Sequence, residues 1–231
     1  MRVYVVRHGQ STHNANQDVP HNPDPPLTAL GCEQAQITAG ALRDASLKPV
    51  ALYASPQRRA LETAFPLQQA LQLATHILPD LCEAGGLREH AGLCRDDILR
   101  EWPGVTLDER ITEGGWWKGG MSEDDEWVFY QRAAQALSLL RTRHGESEDT
   151  IIVVTHGRFG SALLSTMLGL GPAGYSRYPL DNCAISRVDY DPHEQVAYGP
   201  PSVLLGTEET RQAVRLRFHN QTAHLPRSHR T

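Results

Sequence analysis

Short unbroken apolar runs alternate along this chain with longer stretches in which apolar residues return every three or four positions. Val3-Tyr4-Val5-Val6, Val50-Ala51-Leu52-Tyr53-Ala54, Thr75-His76-Ile77-Leu78 and Ile151-Ile152-Val153-Val154-Thr155 read as strands, rich in β-branched and aromatic residues. A helix is predicted from Leu27-Thr28, with Thr28 as N-cap, to about Arg43, with Leu30, Ile37, Ala41 and Leu42 on or near one face. A second is predicted to start at Ser55-Pro56, with Pro56 in its first turn and Pro66 kinking or ending it before a further segment to about Leu73. Ser122 is predicted to open a long helix. Glu123, Asp124 and Asp125 sit in its first turn, and Val128, Ala133, Ala136, Leu137 and Leu140 form a core stripe. Another helix is expected from about Arg158 to Leu168. Residues 183–190 and 195–198 flank Asp191-Pro192-His193 and read as an antiparallel pair joined by a turn, and Val214-Arg215-Leu216-Arg217-Phe218 alternates as a half-buried strand does. Strands and helices in this order predict βαβ units and a mainly parallel sheet.

The stretch from about 84 to 121 breaks the pattern. Glycines at 85, 86, 92, 104, 114, 115, 119 and 120 interrupt it, with Trp102, Trp116 and Trp117 among them. Such an insertion either caps a site or is a partly helical excursion whose tryptophans pack onto the body. With no internal repeat and no linker, residues 1–231 read as one domain with this cap-like insertion, and the polar tail from about Pro226 is expected to fray.

Composition narrows the partners. A formal net charge of -5 and a pI near 6.1 give no basic surface for nucleic acid, so the expected ligand is small. Cys32, Cys82, Cys94 and Cys183 are scattered without metal or disulfide spacing, which suits reduced thiols in a cytoplasmic protein, and Cys183 reads as core. No run approaches the roughly 20 apolar residues of a membrane span, and the first residues do not read as a signal peptide. Self-association is left open.

Four segments carry chemistry. Arg7-His8-Gly9 follows the first strand: the strand fixes the His, the Gly lets backbone approach a ligand closely, and the Arg offers a planar fork to phosphate oxygens. Arg58-Arg59 lies in the first turns of the helix after the second strand, Glu83 lies in a loop after the third, and His156-Gly157 follows the strand at 151–155. Open α/β sheets collect such residues in a crevice at the strand carboxyl ends. Arg143-His144-Gly145 repeats the first tripeptide but follows a helical stretch, so it reads as a helix end with Gly145 as C-cap.

In order, RHGQSxxN at the start, Leu27-Thr28-Ala29-Leu30-Gly31-Cys32-Glu33-Gln34-Ala35, the SPxxRAxxTA segment from Ser55 and the late Thr155-His156-Gly157 resemble the histidine phosphatase superfamily, in its phosphoglycerate mutase-like RHG branch. Asn220-Gln221-Thr222-Ala223-His224-Leu225 resembles that family's N-x-x-x-H-L, which sets His224 apart from the histidines at 13, 21, 76, 90, 193, 219 and 229, read as surface or packing residues. The resemblance implies an α/β fold, a three-layer α/β/α sandwich with a mainly parallel central sheet and an antiparallel edge. It implies His8 as a nucleophile that becomes phosphohistidine, with Arg7, Arg59 and His156 around the phosphoryl group. Asn14 and Gly157 would join the substrate-binding set, and Glu83 would be the proton donor, with no cofactor and no metal. Arg59 is chosen over Arg58, a solvated neighbour, because the family's Arg immediately precedes the Ala. Glu83 occupies the family's LxE position, but Glu89 competes, because the usual G-x-x-E-G is distorted to Gly85-Gly86-Leu87-Arg88-Glu89-His90. Arg158 either extends a basic pocket or points away, and Arg88 and Lys118 read as solvated.

The mutase signatures FTGWxDVxL, ERHYGxLQG, RRSYDxPPP and HGNS all diverge here. The resemblance therefore implies a histidine acid phosphatase-type phosphomonoester hydrolase acting on a small phosphorylated metabolite. The alternatives are a cofactor-dependent phosphoglycerate mutase and a non-catalytic regulatory or binding protein on the same fold.

Overall fold

The computed structural model describes residues 1–15, 22–83, 90–117, 126–172, 177–197 and 210–231. In chain order they form β1 (Arg2–Arg7), α1 (Ala29–Asp44), β2 (Pro49–Ala54), α2 (Arg58–Leu71), β3 (Thr75–Ile77), α3 (Arg95–Glu101), β4 (Val105–Leu107), α4 (Glu126–His144), β5 (Thr150–Thr155), α5 (Gly157–Met167), β6 (Ile185–Ala197) and β7 (Thr210–Gln221). One seven-stranded sheet runs in the order β4-β3-β2-β5-β1-β6-β7. Its first five strands are parallel, and β6 and β7 make the antiparallel edge.

The unbroken apolar runs are explained by burial on both faces. On β1, β2 and β5, Val3, Val5, Ala51, Tyr53, Ile151 and Val153 face α4 and α5. Alternate residues Tyr4, Val6, Leu52, Ala54, Ile152 and Val154 face α1, α2 and α3. The result is the expected three-layer α/β/α arrangement. Ala133, Ala136, Leu137 and Leu140 of the predicted stripe all enter the α4–α5 layer; the expected helix start at Ser122 lies outside the described residues. Among those residues no helix is long and apolar enough to cross a membrane.

Several expectations are corrected. Helix α1 has its Thr28 cap, whose hydroxyl accepts from Gly31 N–H, but its buried stripe is Gly31, Gln34, Ala35, Thr38, Ala39 and Leu42. Small and polar residues turn inward because the inner face contacts backbone, not a pure apolar wall. Helix α2 starts at Arg58, after Pro56, and continues through Pro66 to Leu71. An interior proline costs about 3 kcal/mol, which burying Leu61 and Leu67 at about 1.5–3 kcal/mol each offsets. No turn occurs at Asp191-Pro192-His193: β6 runs through it and pairs with β7, and the register shift between Asp191 and Gln195 accommodates a residue without an N–H.

Within 84–121, α3 forms and β4 extends the sheet beyond β3. Trp102 and Trp116 are buried and Trp117 packs against them, so these aromatics belong to the body. The tail is docked instead of frayed. Gln34 Nε2 donates to His229 O at 2.6 Å, Asn182 N–H to Thr231 O at 2.8 Å, and His229 meets Glu33 at 2.9 Å.

Candidate active site

His8 continues β1 by one residue, its N–H donating to Thr155 O at 2.9 Å, so the β1–β5 ladder itself aims the side chain. The ring is buried, with Nδ1 2.7 Å from Gly9 O. A carbonyl only accepts, so Nδ1 carries the hydrogen and Nε2 keeps its lone pair. Arg59 Nε–H points at that lone pair from 3.1 Å. Burial first, then the positive charges of Arg59 and Arg7, push His8 well below the usual histidine range. The imidazole is neutral.

His156 caps α5 after β5, with its ring centroid 5.0 Å from that of His8. Its Nε2 lies 2.8 Å from Ser55 Oγ, while Nδ1 is buried with no hydrogen-bond partner among the described residues. Burial and the neighbouring Arg59 hold it, too, well below its ordinary value. Arg7 Nη1 donates to Leu180 O at 2.6 Å, which leaves a buried Nε likewise without a partner among the described residues. A Cβ on Gly157 would stand 3.4 Å from that Nε, so the start of α5 lies directly against the guanidinium. Burial lowers both Arg7 and Arg59, and Glu83 is the largest compensating charge for each.

Glu83 is no solvated loop carboxylate. Its N–H donates to Gln57 Oε1 at 2.8 Å, and its two oxygens accept from the first turn of α5, Oε1 from Phe159 N–H at 2.9 Å and Oε2 from Arg158 N–H at 3.1 Å. The carboxylate thus caps a helix N-terminus, where negative charge is favoured. Glu89, Arg88 and Lys118 lie outside the described residues. Arg158 contributes its backbone N–H to Glu83 from the second position of α5.

The structure therefore brings Arg7, His8, Arg59, Glu83, His156 and Gly157 to the carboxyl ends of neighbouring strands. Asn14 Oδ1 accepts from Ser11 N–H, Ser11 Oγ and Asn182 Nδ2 at 3.2, 3.0 and 3.2 Å, shaping the loop after His8. Gly9 meets a packing constraint as well. A Cβ there would sit 2.5 Å from Gly31 O, and one on Gly31 2.1 Å from Gln10 O, so the close approach is to the first turn of α1. Arg58 stays partly exposed but is tied down. It makes a two-pronged bridge to Glu101 at 2.7 and 3.2 Å, with its guanidinium 5.2 Å over Trp102.

Sequence reasoning passed over several supports. Thr63 Oγ1 accepts from Gly9 N–H at 3.0 Å, and Gln34 Oε1 from Gln10 N–H at 2.7 Å. Ser55, Gln57 and Thr63 lie inside the SPxxRAxxTA segment and Gln34 inside the LTxxGxxQA segment, so the signal was in the motifs. Asn182, which donates to His8 O at 3.0 Å, and Arg132 lay in no motif. His224 Nε2 meets Thr38 Oγ1 at 3.0 Å and so braces α1 from behind the site. Cys183 is core, its thiol pushed up to about 12 by burial. His144 ends α4 as expected and bridges Tyr53 OH and Asp149 at 2.8 and 2.7 Å. Among the described residues no three His, Cys, Asp or Glu side chains are grouped to hold a metal ion.

Comparison with known proteins bears on the fold and the family. A protein named probable phosphoglycerate mutase GpmB from Yersinia pestis (strain Pestoides F) is 28% identical over 207 residues, covering 86% of this chain and 89% of its own length. The phosphoserine phosphatase of Entamoeba histolytica, solved with 3-phosphoglyceric acid, superposes with a TM-score of 0.60 at 19% identity, over 97% of this chain and 99% of that one. A mycobacterial glucosyl-3-phosphoglycerate phosphatase gives 0.56 at 24% identity, over 81% and 89%. The profile of the histidine phosphatase superfamily (branch 1) matches residues 3–199. The chain belongs to the histidine phosphatase superfamily, branch 1.

Proposed function

We propose that this protein hydrolyses small phosphomonoesters through a phosphohistidine formed on His8. The observation that carries the reading is the state of His8: a buried neutral ring with Nδ1–H fixed on Gly9 O and the Nε2 lone pair facing Arg59. In the first step Nε2 bonds to phosphorus while the ester oxygen departs. Arg7 and Arg59 neutralise charge spread over the phosphoryl oxygens, and His156 adds a donor wherever Ser55 donates to its Nε2 and leaves the ring hydrogen on Nδ1. Glu83 passes a proton to the leaving oxygen. In the second step water attacks phosphorus and gives its proton to Glu83, the bond from phosphorus to Nε2 breaks, and inorganic phosphate leaves. Two guanidinium groups supply the positive charge that a metal supplies elsewhere.

Hydrolysis is favoured over phosphate return because all four mutase signatures diverge, and because solved relatives of this fold include phosphatases. The 28% identical relative named as a mutase supports the other outcome, so product analysis with phosphoglycerates belongs in a panel that also holds sugar phosphates, nucleotides and aryl phosphates. The decisive test is a rapid quench with labelled substrate. A base-stable, acid-labile phosphoryl protein is expected in the wild type and none in His8→Ala; label that persists in His8→Ala would rule the mechanism out.

A further inference from the structure

The mechanism leaves the buried charge of Arg132 without a task. Arg132 lies within α4, only 6% exposed. Its Nη1 donates to Asp80 O at 2.9 Å and Cys82 O at 2.6 Å, and its Nη2 to Glu83 O at 3.4 Å. The guanidinium also lies 4.5 Å over the ring of Phe159 and 5.3 Å from that of Phe129. Phe159 is the residue whose N–H grips Glu83 Oε1. A single planar cation therefore fixes the turn that carries Glu83 and backs the residue that holds its carboxylate.

The chemistry of the side chain fits that double duty. A guanidinium offers several in-plane donors, enough for three carbonyls of one turn, while its face stays free to stack on a ring; an ammonium cannot do both. A buried charge is tolerated only when well bonded, and these three bonds go to the segment 80–83. We propose that Arg132 is the positioning residue for the proton donor, setting where the Glu83 carboxyl stands relative to the leaving oxygen. This rests on the reading of Glu83 as the acid.

The test is single-turnover phosphorylation of the enzyme by three donors: p-nitrophenyl phosphate, phenyl phosphate and glycerol phosphate. Glu83→Gln sets the yardstick. General acid catalysis is worth about 10²–10⁴-fold, and the benefit shrinks when the leaving group is already stable as an anion. Glu83→Gln should therefore lose far more on glycerol phosphate than on p-nitrophenyl phosphate. Arg132→Ala is expected to repeat that pattern, lowering the ratio of the two rates by at least about tenfold. Its KM for p-nitrophenyl phosphate should stay near the wild-type value. Added guanidinium ion should restore the glycerol phosphate rate in Arg132→Ala and not in Glu83→Gln. Arg132→Gln, which keeps a donor for one carbonyl, should fall between.

Thermal melts establish which variants are folded. Should neither variant at 132 fold, Phe159→Leu decides. It keeps the N–H that binds Glu83 and removes the ring under Arg132, and it is expected to lower the ratio in the same direction. If Glu83→Gln leaves the ratio unchanged, the acid assignment itself falls. If Glu83→Gln is selective but a folded variant at 132, or Phe159→Leu in their place, keeps the wild-type ratio or loses all three donors equally, Arg132 is structural only and the inference is overturned.

Discussion

At His8 the position of one hydrogen decides what the side chain can do, and that position is set by backbone. Gly9 O holds the hydrogen on Nδ1, and the Gly9–Gln10 peptide is in turn wedged against the first turn of α1. The wedge leaves no room for a side chain at Gly31, where a Cβ would meet Gln10 O at 2.1 Å; at Gly40 in the same helix a Cβ would meet nothing within 4 Å. The two glycines should therefore respond oppositely to alanine. Gly31→Ala must push the loop away, and overpacking of this kind costs about 1–3 kcal/mol, or a fall in Tm of roughly 2–4 °C per kcal/mol for a chain of this size. Its phosphorylation rate should fall as His8 loses its setting. Gly40→Ala should raise stability by about 0.5–1 kcal/mol, because glycine is a poor interior helix residue, and leave the rate alone. Melting curves and burst kinetics on the pair check both halves, and a Gly31→Ala enzyme that is as stable and as fast as the wild type would contradict the packing described.

The helices that face the site owe their starts to residues far away in sequence. Asp24 Oδ1 accepts from Arg58 N–H at 2.9 Å at the start of α2, and Glu83 holds the first turn of α5. Local capping chemistry at Ser55-Pro56 therefore pointed to the wrong first residue, while Thr28, which caps α1 with its own hydroxyl, was legible from sequence. The same distinction applies to strands. Runs buried on both faces, such as 151–155, announce themselves; Val105–Leu107 is too short to show a period and exists because β3 offers it a partner. Arg58 and Arg59 are adjacent on α2 yet belong to different tasks, one bridging to α3 and one facing His8. A partly exposed pair such as Arg58–Glu101 contributes about 0–1 kcal/mol. Arg58→Ala is thus expected to lower stability by no more than about 1 kcal/mol, less at high salt, with phosphorylation of His8 within a few-fold of wild type. Arg59→Ala should abolish that phosphorylation while remaining folded. Equal kinetic losses in the two variants would show that the assignment of Arg59 over Arg58 is mistaken.

For the molecule as a whole, the layered fold and the grouping of Arg7, His8, Arg59, Glu83 and His156 could be read from strand patterns and ordered motifs. What could not be read are long-range polar contacts, such as Arg132 to the turn before Glu83, or Asn182 to His8 O and Thr231 O, since no local spacing encodes them. Burying two histidines together beside two arginines has a consequence for the whole fold. His8 and His156 are both held well below the usual histidine value, chiefly by burial. Above about pH 6.5 the histidines are neutral in the folded and the unfolded chain alike, so they contribute no pH dependence. As pH falls below about 6.5 the unfolded chain binds protons that the folded chain refuses. Unfolding then takes up protons, and stability falls with pH by as much as about 1.4 kcal/mol per pH unit for each histidine until its folded value is reached. Asp149, Asp108 and Asp189 act differently: their carboxyls are held below the ordinary value, so the stability they contribute persists above it and is lost only at more acidic pH. His76, His219 and His224, also held down by burial, add to the decline, while Asp24 and Glu62, pushed up by burial, oppose it, so urea unfolding between about pH 4.5 and 7.5 is read as the difference between the wild type and a variant lacking one ring. Wild-type stability should decline below about pH 6.5, and His156→Gln should flatten that decline by about one proton. A decline of the same slope in His156→Gln would mean that the ring is not buried in its neutral form.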